Sequence, residues 1–171
     1  MDKRWILILI ILIVGLACMY AIVDSSNTVG NAITVLNKSV VTLPDDFGIG
    51  NTEKNSVELI GKNDDEKVYI EDFGKKDIAL ELFKDNLSAL SHKSEFKILK
   101  NTTESINNIT VYKIYLQDCT TENITNVTMA YIYSNNHTFM IKITGSNQSN
   151  MEKNLNFLVS TIQPDYKQSQ D

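Results

Sequence analysis

Residue types that could carry out catalysis are few and widely spaced in this chain of 171 residues. Its two histidines, His92 and His137, fall in no spacing that is typical of a zinc site or a catalytic triad. Cys119 is the only cysteine after the N-terminal apolar run, and a lone thiol is typically a small buried hydrophobic residue. Because no G-x-S-x-G, H-E-x-x-H or C-x-x-C pattern occurs, the sequence predicts no catalytic residue and favours a protein that is not an enzyme.

Two short acidic segments could attract a cation. The segment from Asn63 to Glu66 lacks the alternating Asp/Asn spacing and the Gly of a calcium-binding EF-hand loop, so it is predicted to be a solvated hairpin turn. The pair Asp45-Asp46 is interpreted in the same way. The segment from Gly48 to Gly50 resembles part of a phosphate-binding loop, but no Gly-Lys-Ser follows it, and it is predicted to be a flexible turn. We therefore expect no metal ion and no cofactor.

Acceptor motifs for N-linked glycans are frequent. The N-x-S/T motif occurs at eight Asn residues, whereas chance predicts roughly three at this composition. Five of these residues lie in or beside predicted turns and are the candidate glycosylation sites: Asn101, Asn108, Asn123, Asn126 and Asn136. Asn86 lies inside a predicted helix and is a poorer candidate. The alternative explanation is an AT-rich genome that raises the Asn content without any glycan being attached.

Four tyrosines lie on neighbouring predicted strands, where aromatic cross-strand pairs ordinarily stabilise a sheet: Tyr112, Tyr115, Tyr131 and Tyr133. The period of two residues in a strand places Met129, Tyr131 and Tyr133 on the same face. If no helix covers that face, these three side chains form a contact surface for a glycan or a peptide. We therefore predict them as the candidate contact surface, with burial under a helix as the alternative.

The elements that must position these residues follow from hydrophobic periodicity. Alternating or apolar runs predict strands at residues 40–43, 56–60, 67–72, 96–99, 109–117, 127–134 and 138–144. Helical spacing predicts one amphipathic helix over residues 75–90 and a second that ends at Pro164. Ser149 and Glu152 have the spacing of a capping box at the start of the second helix. The order predicts an α+β fold, an antiparallel sheet of about six to seven strands covered by two amphipathic helices.

A run of nineteen uncharged residues, 5–23, precedes this domain. As a helix it would be about 28 Å long, which matches the hydrocarbon core of a membrane. Because two cations precede the run, residues 1–4 are expected in the cytoplasm and the rest of the chain outside it. No small-residue cleavage site follows, so we expect an uncleaved, single-pass transmembrane helix. Cys18 ends an imperfect lipobox, which leaves lipidation of Cys18 as an alternative.

Beyond the predicted anchor, the sequence divides into a juxtamembrane stalk at residues 24–39, one domain at 40–164 and a flexible tail at 165–171. The formal net charge of the chain is −5 at pH 7, which is the wrong sign for a nucleic-acid-binding protein. The expected partners are therefore the membrane, through the anchor, and an envelope protein or glycan of unknown identity.

Several motifs resemble those of a known family. The strand and helix order, the opening VVTLPDDFGI, the strands YKIYLQ and TFMIKIT and the closing NLNFLVSTIQP resemble the PsbP-like family of small α/β domains. The likeness is greatest to the membrane-anchored PsbP-related proteins of methanogenic archaea. The family includes an extrinsic photosystem subunit, a Ran-binding protein and envelope proteins of unknown role, so the resemblance implies a fold and carries over no functional residue.

Together these features predict a membrane-anchored domain on the outer side of the cell membrane, which binds or scaffolds another envelope component without catalysis. Two alternatives stay open. One is an enzyme or processing factor that acts on envelope polymers, which would need a cleft with converging carboxylates. The other is a pilin-like structural subunit, because pilins also join a long apolar helix to a β-rich head.

Overall fold

A computed structural model describes residues 32–35, 39–62, 65–121 and 124–162. Its elements follow in chain order: β1 Ala32–Val35, β2 Ser39–Thr42, β3 Phe47–Thr52, β4 Ser56–Gly61, β5 Glu66–Asp72, α1 Ala79–Ser91, β6 Phe96–Ile106, β7 Ile109–Asp118, β8 Thr125–Ser134, β9 His137–Gly145 and α2 Gln148–Thr161. The predicted transmembrane helix at residues 5–23 lies outside the described residues. Among the described residues, no helix has the length and apolarity needed to span a membrane.

Seven strands form one antiparallel sheet in the order β3-β4-β5-β9-β8-β7-β6. This confirms the predicted α+β fold, an antiparallel sheet of about six to seven strands with two helices, although the predicted strand at 40–43 lies in a separate sheet. Strand β9 illustrates how the sequence specifies this sheet. Its residues Phe139, Ile141 and Ile143 are buried on one face. Met140 and Lys142 alternate with them and are partly exposed on the other face. Antiparallel strands with one packed and one wetter face follow from this alternation.

Two hairpins of this sheet turn on pairs of asparagines. Asn107 and Asn108 join β6 to β7 with φ of 49° and 64°, and Asn135 and Asn136 join β8 to β9 with φ of 47° and 69°. Two-residue hairpins favour positive φ at both central positions because that backbone matches the twist of the strands. Asn tolerates this conformation better than other side-chain-bearing residues. The predicted turn at Asn136 is confirmed, and part of the high Asn content has a structural use.

The two helices pack on opposite faces of the sheet. Helix α2 buries Met151, Leu155, Leu158 and Val159 in a cluster with inward residues of β4, β5, β7, β8 and β9. Its first turn is capped by Asn147, whose side chain accepts hydrogen bonds from the amides of the second and third residues after it. The predicted capping box on Ser149 is therefore wrong, because the helix begins at Gln148 and Asn147 is its N-cap residue, which places Ser149 inside the first turn.

Two segments predicted to be irregular are strands. Strand β1, Ala32–Val35, lies inside the predicted stalk and pairs antiparallel with β2 to form a separate two-stranded sheet. Its short run lies in a segment that is otherwise polar and rich in Asn, so the segment was predicted to be irregular. Strand β3 replaces the predicted flexible turn at Gly48 to Gly50 and lies at the edge of the main sheet. A Cβ on Gly50 would lie 2.7 Å from Ile60 Cδ1, so the glycine permits a close approach between β3 and β4.

Candidate functional site

Helix α1 covers most of the face on which the contact surface was predicted. Tyr131 is fully buried and Met129 is 9% exposed, both in a cluster with Ala79 and Phe83 of α1. The Phe83 ring meets the Tyr131 ring edge-on, with 6.3 Å between the ring centroids. The predicted contact surface is therefore wrong for Met129 and Tyr131. Alternation correctly placed them on one face, but that face is the one on which the amphipathic helix packs.

Tyr133 alone of the three predicted contact residues is exposed, at 37%. It is the last outward residue of β8 on this face, and its hydroxyl lies 3.4 Å from Asn136 Oδ1 in the following turn. Together with Tyr112 and Asp77 it lines a shallow cleft of about 400 Å³ beside the start of α1. One exposed tyrosine at a hairpin end offers a much smaller contact area than the predicted three-residue surface.

The same side of the sheet continues beyond α1 as a partly exposed surface. We call it the open face, and it comprises Glu58, Ile60, Tyr69, Glu71 and Lys142 on β4, β5 and β9. In the described chain, α1 packs mainly on β6, β7 and β8 and less on β9, which leaves this half of the face wetter. The sequence correctly predicted which side of the sheet is partly exposed. It placed the contact surface on β8, whereas the exposed part lies on β4, β5 and β9.

Tyr69 lies at the centre of the open face. Cross-strand register places Glu58 opposite it on β4 and Lys142 opposite it on β9. Its hydroxyl is 3.5 Å from Glu71 Oε2, at the limit of a hydrogen bond. Because both charge signs flank one aromatic ring, the open face can offer apolar area, a carboxylate and an ammonium to the same partner. The outward residues of Lys67-Val68-Tyr69-Ile70-Glu71 are the sequence signal that could have found it.

A serine, an aspartate and a histidine meet inside the fold. The Ser39 hydroxyl donates to Asp72 Oδ2 at 3.1 Å, and His137 Nδ1 lies 2.9 Å from the same oxygen. The amide of Gly74 donates to Asp72 Oδ1 at 2.6 Å. All three side chains are buried. Because Asp72 stands between the serine and the histidine, the hydroxyl proton points at a carboxylate and not at an imidazole, which differs from the order of a catalytic triad.

This cluster joins three parts of the chain. Ser39 belongs to the two-stranded sheet, Asp72 ends β5 and His137 begins β9. Hydrogen bonds to a buried carboxylate are among the stronger ones in proteins. The arrangement therefore fastens the N-terminal two-stranded sheet to the end of the main sheet, and the geometry gives it a structural role.

A second buried polar cluster centres on Lys113 of β7. Its Nζ donates to Glu152 Oε2 of α2 at 2.9 Å and pairs with Glu104 of β6. Burial lowers the pKa of Lys113, but hydrogen bonds from its ammonium to the two carboxylates outweigh that effect and leave the pKa raised. Burial, with a contribution from Glu152, also raises the pKa of Tyr115 on the same strand. The cluster holds α2 against the β6–β7 side of the sheet.

A polar cleft of about 530 Å³ lies between the turn before β3, Lys62 and Asp65 before β5, and the outer side of α2. Asn154 Nδ2 donates to Glu66 Oε1 at 2.9 Å, and the pKa of Glu66 is raised by burial against that hydrogen bond. Lys62 Nζ and Asp46 Oδ1 form an exposed ion pair at the rim, 2.5 Å apart. The residues that line the cleft include acidic and basic side chains and two phenylalanines, Phe47 and Phe157.

The remaining chemistry-bearing residues are dispersed. Among the described residues, no group of three or more His, Cys, Asp and Glu side chains could hold a metal ion. His92 caps the end of α1, and its Nδ1 lies 2.7 Å from the carbonyl of Ser88. Cys119 is exposed, so its predicted burial is wrong. It follows the last residue of β7, where the chain leaves the sheet and the side chain is no longer packed.

The predicted glycosylation sites differ in whether they lie in turns of the structure. Asn108 and Asn136 lie in hairpin turns, as predicted, and both are exposed. Asn101 lies inside strand β6 and Asn126 inside β8, so their predicted positions in or beside turns hold only for Asn126, the second residue of its strand. Asn123 lies outside the described residues.

No protein-family model matches this sequence, and no curated protein matches it significantly. Solved structures do. The Ran-binding protein Mog1p of Saccharomyces cerevisiae has a TM-score of 0.54 at 9% identity, over 80% of this chain and 97% of Mog1p. Cyanobacterial PsbP (CyanoP) of Synechocystis has a TM-score of 0.52 at 8% identity, over 80% of this chain and 93% of that protein.

Two further structures share the architecture. LpqN of Mycobacterium tuberculosis, a protein involved in cell envelope biogenesis, has a TM-score of 0.52 at 10% identity, over 78% of this chain and 83% of LpqN. A Bacteroides thetaiotaomicron protein has a TM-score of 0.58 at 10% identity over 83% of this chain, which spans only 50% of that protein. At these identities the likeness establishes a fold shared with PsbP, Mog1p and LpqN.

Proposed function

We propose that this protein is a non-catalytic binding or scaffolding domain, held at the outer side of the cell membrane by its N-terminal apolar segment, and that the open face is its contact surface. The observation that carries the proposal is the partly exposed half of the sheet around Tyr69. The anchor and the location are proposed from the uncharged run at residues 5–23 and the cations before it.

Composition supports the open face as a contact surface. Tyr69 supplies a rigid aromatic side chain, which contributes contact area at low cost in conformational entropy. Glu58 and Lys142 stand on either side of it in the register of the strands. Paired charges of opposite sign favour a partner with a complementary pattern and disfavour others. The polar clusters on the other face of the sheet are occupied in fastening the fold together.

The structural neighbours support a role in binding. Mog1p is a Ran-binding protein, and LpqN is involved in cell envelope biogenesis. Because one fold hosts many unrelated functions, neither partner is carried over to this chain. The neighbours support the proposal in that this architecture occurs in a Ran-binding protein and in a protein involved in cell envelope biogenesis.

The proposal can be tested by crosslinking in intact cells. The full chain, its Tyr69→Ser variant and a Tyr133→Ser control are each crosslinked, purified and compared for the proteins and glycans that copurify. Tyr133 is the matched control because it is an exposed tyrosine on the same side of the sheet but outside the open face. We expect Tyr69→Ser to lose a copurifying component that the wild type and Tyr133→Ser retain.

Two results would contradict the proposed contact surface. One is an unchanged set of copurifying components in Tyr69→Ser, and the other is an equal loss in both variants. A circular dichroism melt of each variant, run alongside, excludes unfolding as the cause of a loss. A charge-reversed Lys142→Glu variant should weaken the same component, because it places a third carboxylate beside Tyr69.

A further inference from the structure

The sequons that the structure describes differ in whether a glycosylating enzyme could reach them in the folded domain. An N-x-S/T motif is defined by its Asn amide and by the hydroxyl two residues later, so both groups must be accessible to the enzyme. In the described residues, burial and hydrogen bonding of these two groups separate the candidate sites. The inference concerns modification of the folded chain and rests on the proposed outer location.

Asn108 and Asn101 satisfy both conditions. Asn108 is exposed at the tip of the β6–β7 hairpin, and its sequon partner Thr110 is exposed. Asn101 is exposed on β6, which is an edge strand of the main sheet, and its partner Thr103 is exposed as well. An edge strand has no neighbour on its outer side, so an enzyme can approach it without displacing another strand.

Asn126 and Asn136 fail the second condition. The sequon partner of Asn126 is Thr128, which is fully buried and accepts a hydrogen bond from Gln148 Nε2 at 3.1 Å. Asn126 itself donates through Nδ2 to the carbonyl of Ser146 at 3.3 Å. The partner of Asn136 is Thr138, fully buried, whose hydroxyl donates to a backbone carbonyl and accepts from a backbone amide. Both hydroxyls are therefore committed inside the fold.

We propose that the β6–β7 hairpin carries N-linked glycans, on Asn101 and Asn108, and that Asn126 and Asn136 carry none. The donor is a lipid-linked oligosaccharide. A bond forms between the Asn Nδ2 and C1 of the first sugar as the bond from C1 to the lipid phosphate breaks. The Nδ2 loses one proton, and the lipid phosphate leaves with the electron pair of the broken bond.

The position of these sites gives the glycans a physical role. Strand β6 has eleven residues and lies at the edge of the sheet, with Leu99 49% exposed two residues before Asn101. An exposed edge strand can pair with another chain and promote aggregation. Glycans on β6 and its hairpin would block that pairing. The open face lies toward the opposite edge, on β4, β5 and β9, so the glycans would leave it accessible.

The experiment uses the full chain, expressed in a host that attaches glycans at N-x-S/T, with occupancy measured at each sequon by glycopeptide mass spectrometry. Thr110→Ala removes the Asn108 sequon, and Thr110→Ser is its matched control because it keeps the hydroxyl. We expect glycans on Asn101 and Asn108, loss of the Asn108 glycan in Thr110→Ala and its retention in Thr110→Ser. Removing the glycans enzymatically should increase aggregation.

A separate measurement distinguishes failure of the location from failure of the inference. Cys119 is exposed, so a membrane-impermeant maleimide labels it in intact cells only if the domain lies outside. The label is read in a Cys18→Ser background to leave one reactive thiol. A labelled chain without glycan on Asn101 and Asn108 overturns the inference and leaves the location standing. Labelling only after permeabilisation overturns both. Glycan on Asn126 or Asn136 overturns the accessibility argument.

Discussion

Two halves of one sheet face have opposite environments although their residues look alike in the sequence. Tyr131 and Met129 on β8 are buried beneath α1, whereas Tyr69 and Lys142 on β5 and β9 are partly exposed. Each half consists of an aromatic side chain and its outward neighbours on the same side of the strands. The difference shows that strand periodicity determines which side of the sheet a residue faces. The placement of a helix then determines whether that side is exposed to solvent.

Replacing the central aromatic residue of each half is the strongest test of this comparison. Tyr131→Ala should lower the free energy of unfolding by about 3–5 kcal/mol, because it leaves a large cavity beneath α1. Tyr69→Ala should lower it by no more than about 0.5 kcal/mol, since a partly exposed ring loses few packed contacts. Urea denaturation of both variants and the wild type at pH 7 provides the measurement. Equal losses would mean that the two halves are equally packed.

The pH dependence of stability above pH 10 should also distinguish the half around Tyr131 from the half around Tyr69. Burial raises the pKa of Tyr131 above its usual 10.0, so above pH 10 the unfolded chain loses this proton while the folded chain keeps it. The unfolded state then binds fewer protons, and stability falls as the pH rises, by up to about 1.4 kcal/mol per pH unit for one such group. Its contribution is fully present below pH 10.

The measurement is a series of urea midpoints from pH 8 to pH 12 for wild type, Tyr131→Phe and Tyr69→Phe. Tyr131→Phe should flatten the alkaline slope, while Tyr69→Phe should leave it nearly unchanged. Tyr115 and Lys113, whose pKa values are also raised, would maintain part of the slope in every variant. A wild-type slope that Tyr131→Phe does not change would contradict a buried, protonated Tyr131.

The sequence predicts the sides of the sheet better than the cover over them. Alternation in β9 and β8 is local, so the buried positions Phe139, Ile141 and Ile143 and the shared face of Met129 and Tyr131 follow from period two alone. Which strands α1 crosses depends on contacts between residues far apart in the chain. Residues 75–90 predict an amphipathic helix but contain no signal for its position above β6, β7 and β8.

The sequence did not reveal the two buried polar clusters either, because they too depend on contacts between residues far apart in the chain. Ser39, Asp72 and His137 come from three distant segments, and no spacing in the sequence connects them. Lys113 is a charged residue at a position where alternation predicts an apolar one, and that mismatch is the signal that could have indicated a buried ion pair. Strand β1 was missed because its short run, Ala32–Val35, lies in a segment that is otherwise polar and rich in Asn.

A double-mutant cycle measures how strongly α1 interacts with the buried half of this sheet face, around Tyr131. Phe83 of α1 meets Tyr131 edge-on and lies 5.6 Å, centroid to centroid, from the Tyr112 ring. Phe83→Leu and Tyr131→Leu, alone and together, should show a coupling energy of about 0.5–1.5 kcal/mol, since an edge-to-face aromatic pair has that value beyond its buried area. Phe83→Leu combined with Tyr69→Leu is the control and should be additive. Coupling in the control would mean that α1 also reaches the open face.

The smallest expected effect is the one that connects this comparison with function. Tyr69→Ser should change the free energy of unfolding by no more than about 0.5 kcal/mol, because its ring is only partly buried and its hydroxyl lies at the limit of a hydrogen bond to Glu71. A residue that contributes little to stability is free to serve as a contact, whereas one that packs the core is not. Thermal melts at equal protein concentration, compared with those of Tyr133→Ser, give the measurement. A loss in Tyr69→Ser as large as that in Tyr131→Ala would make Tyr69 a core residue and remove the basis for placing a contact surface on β4, β5 and β9.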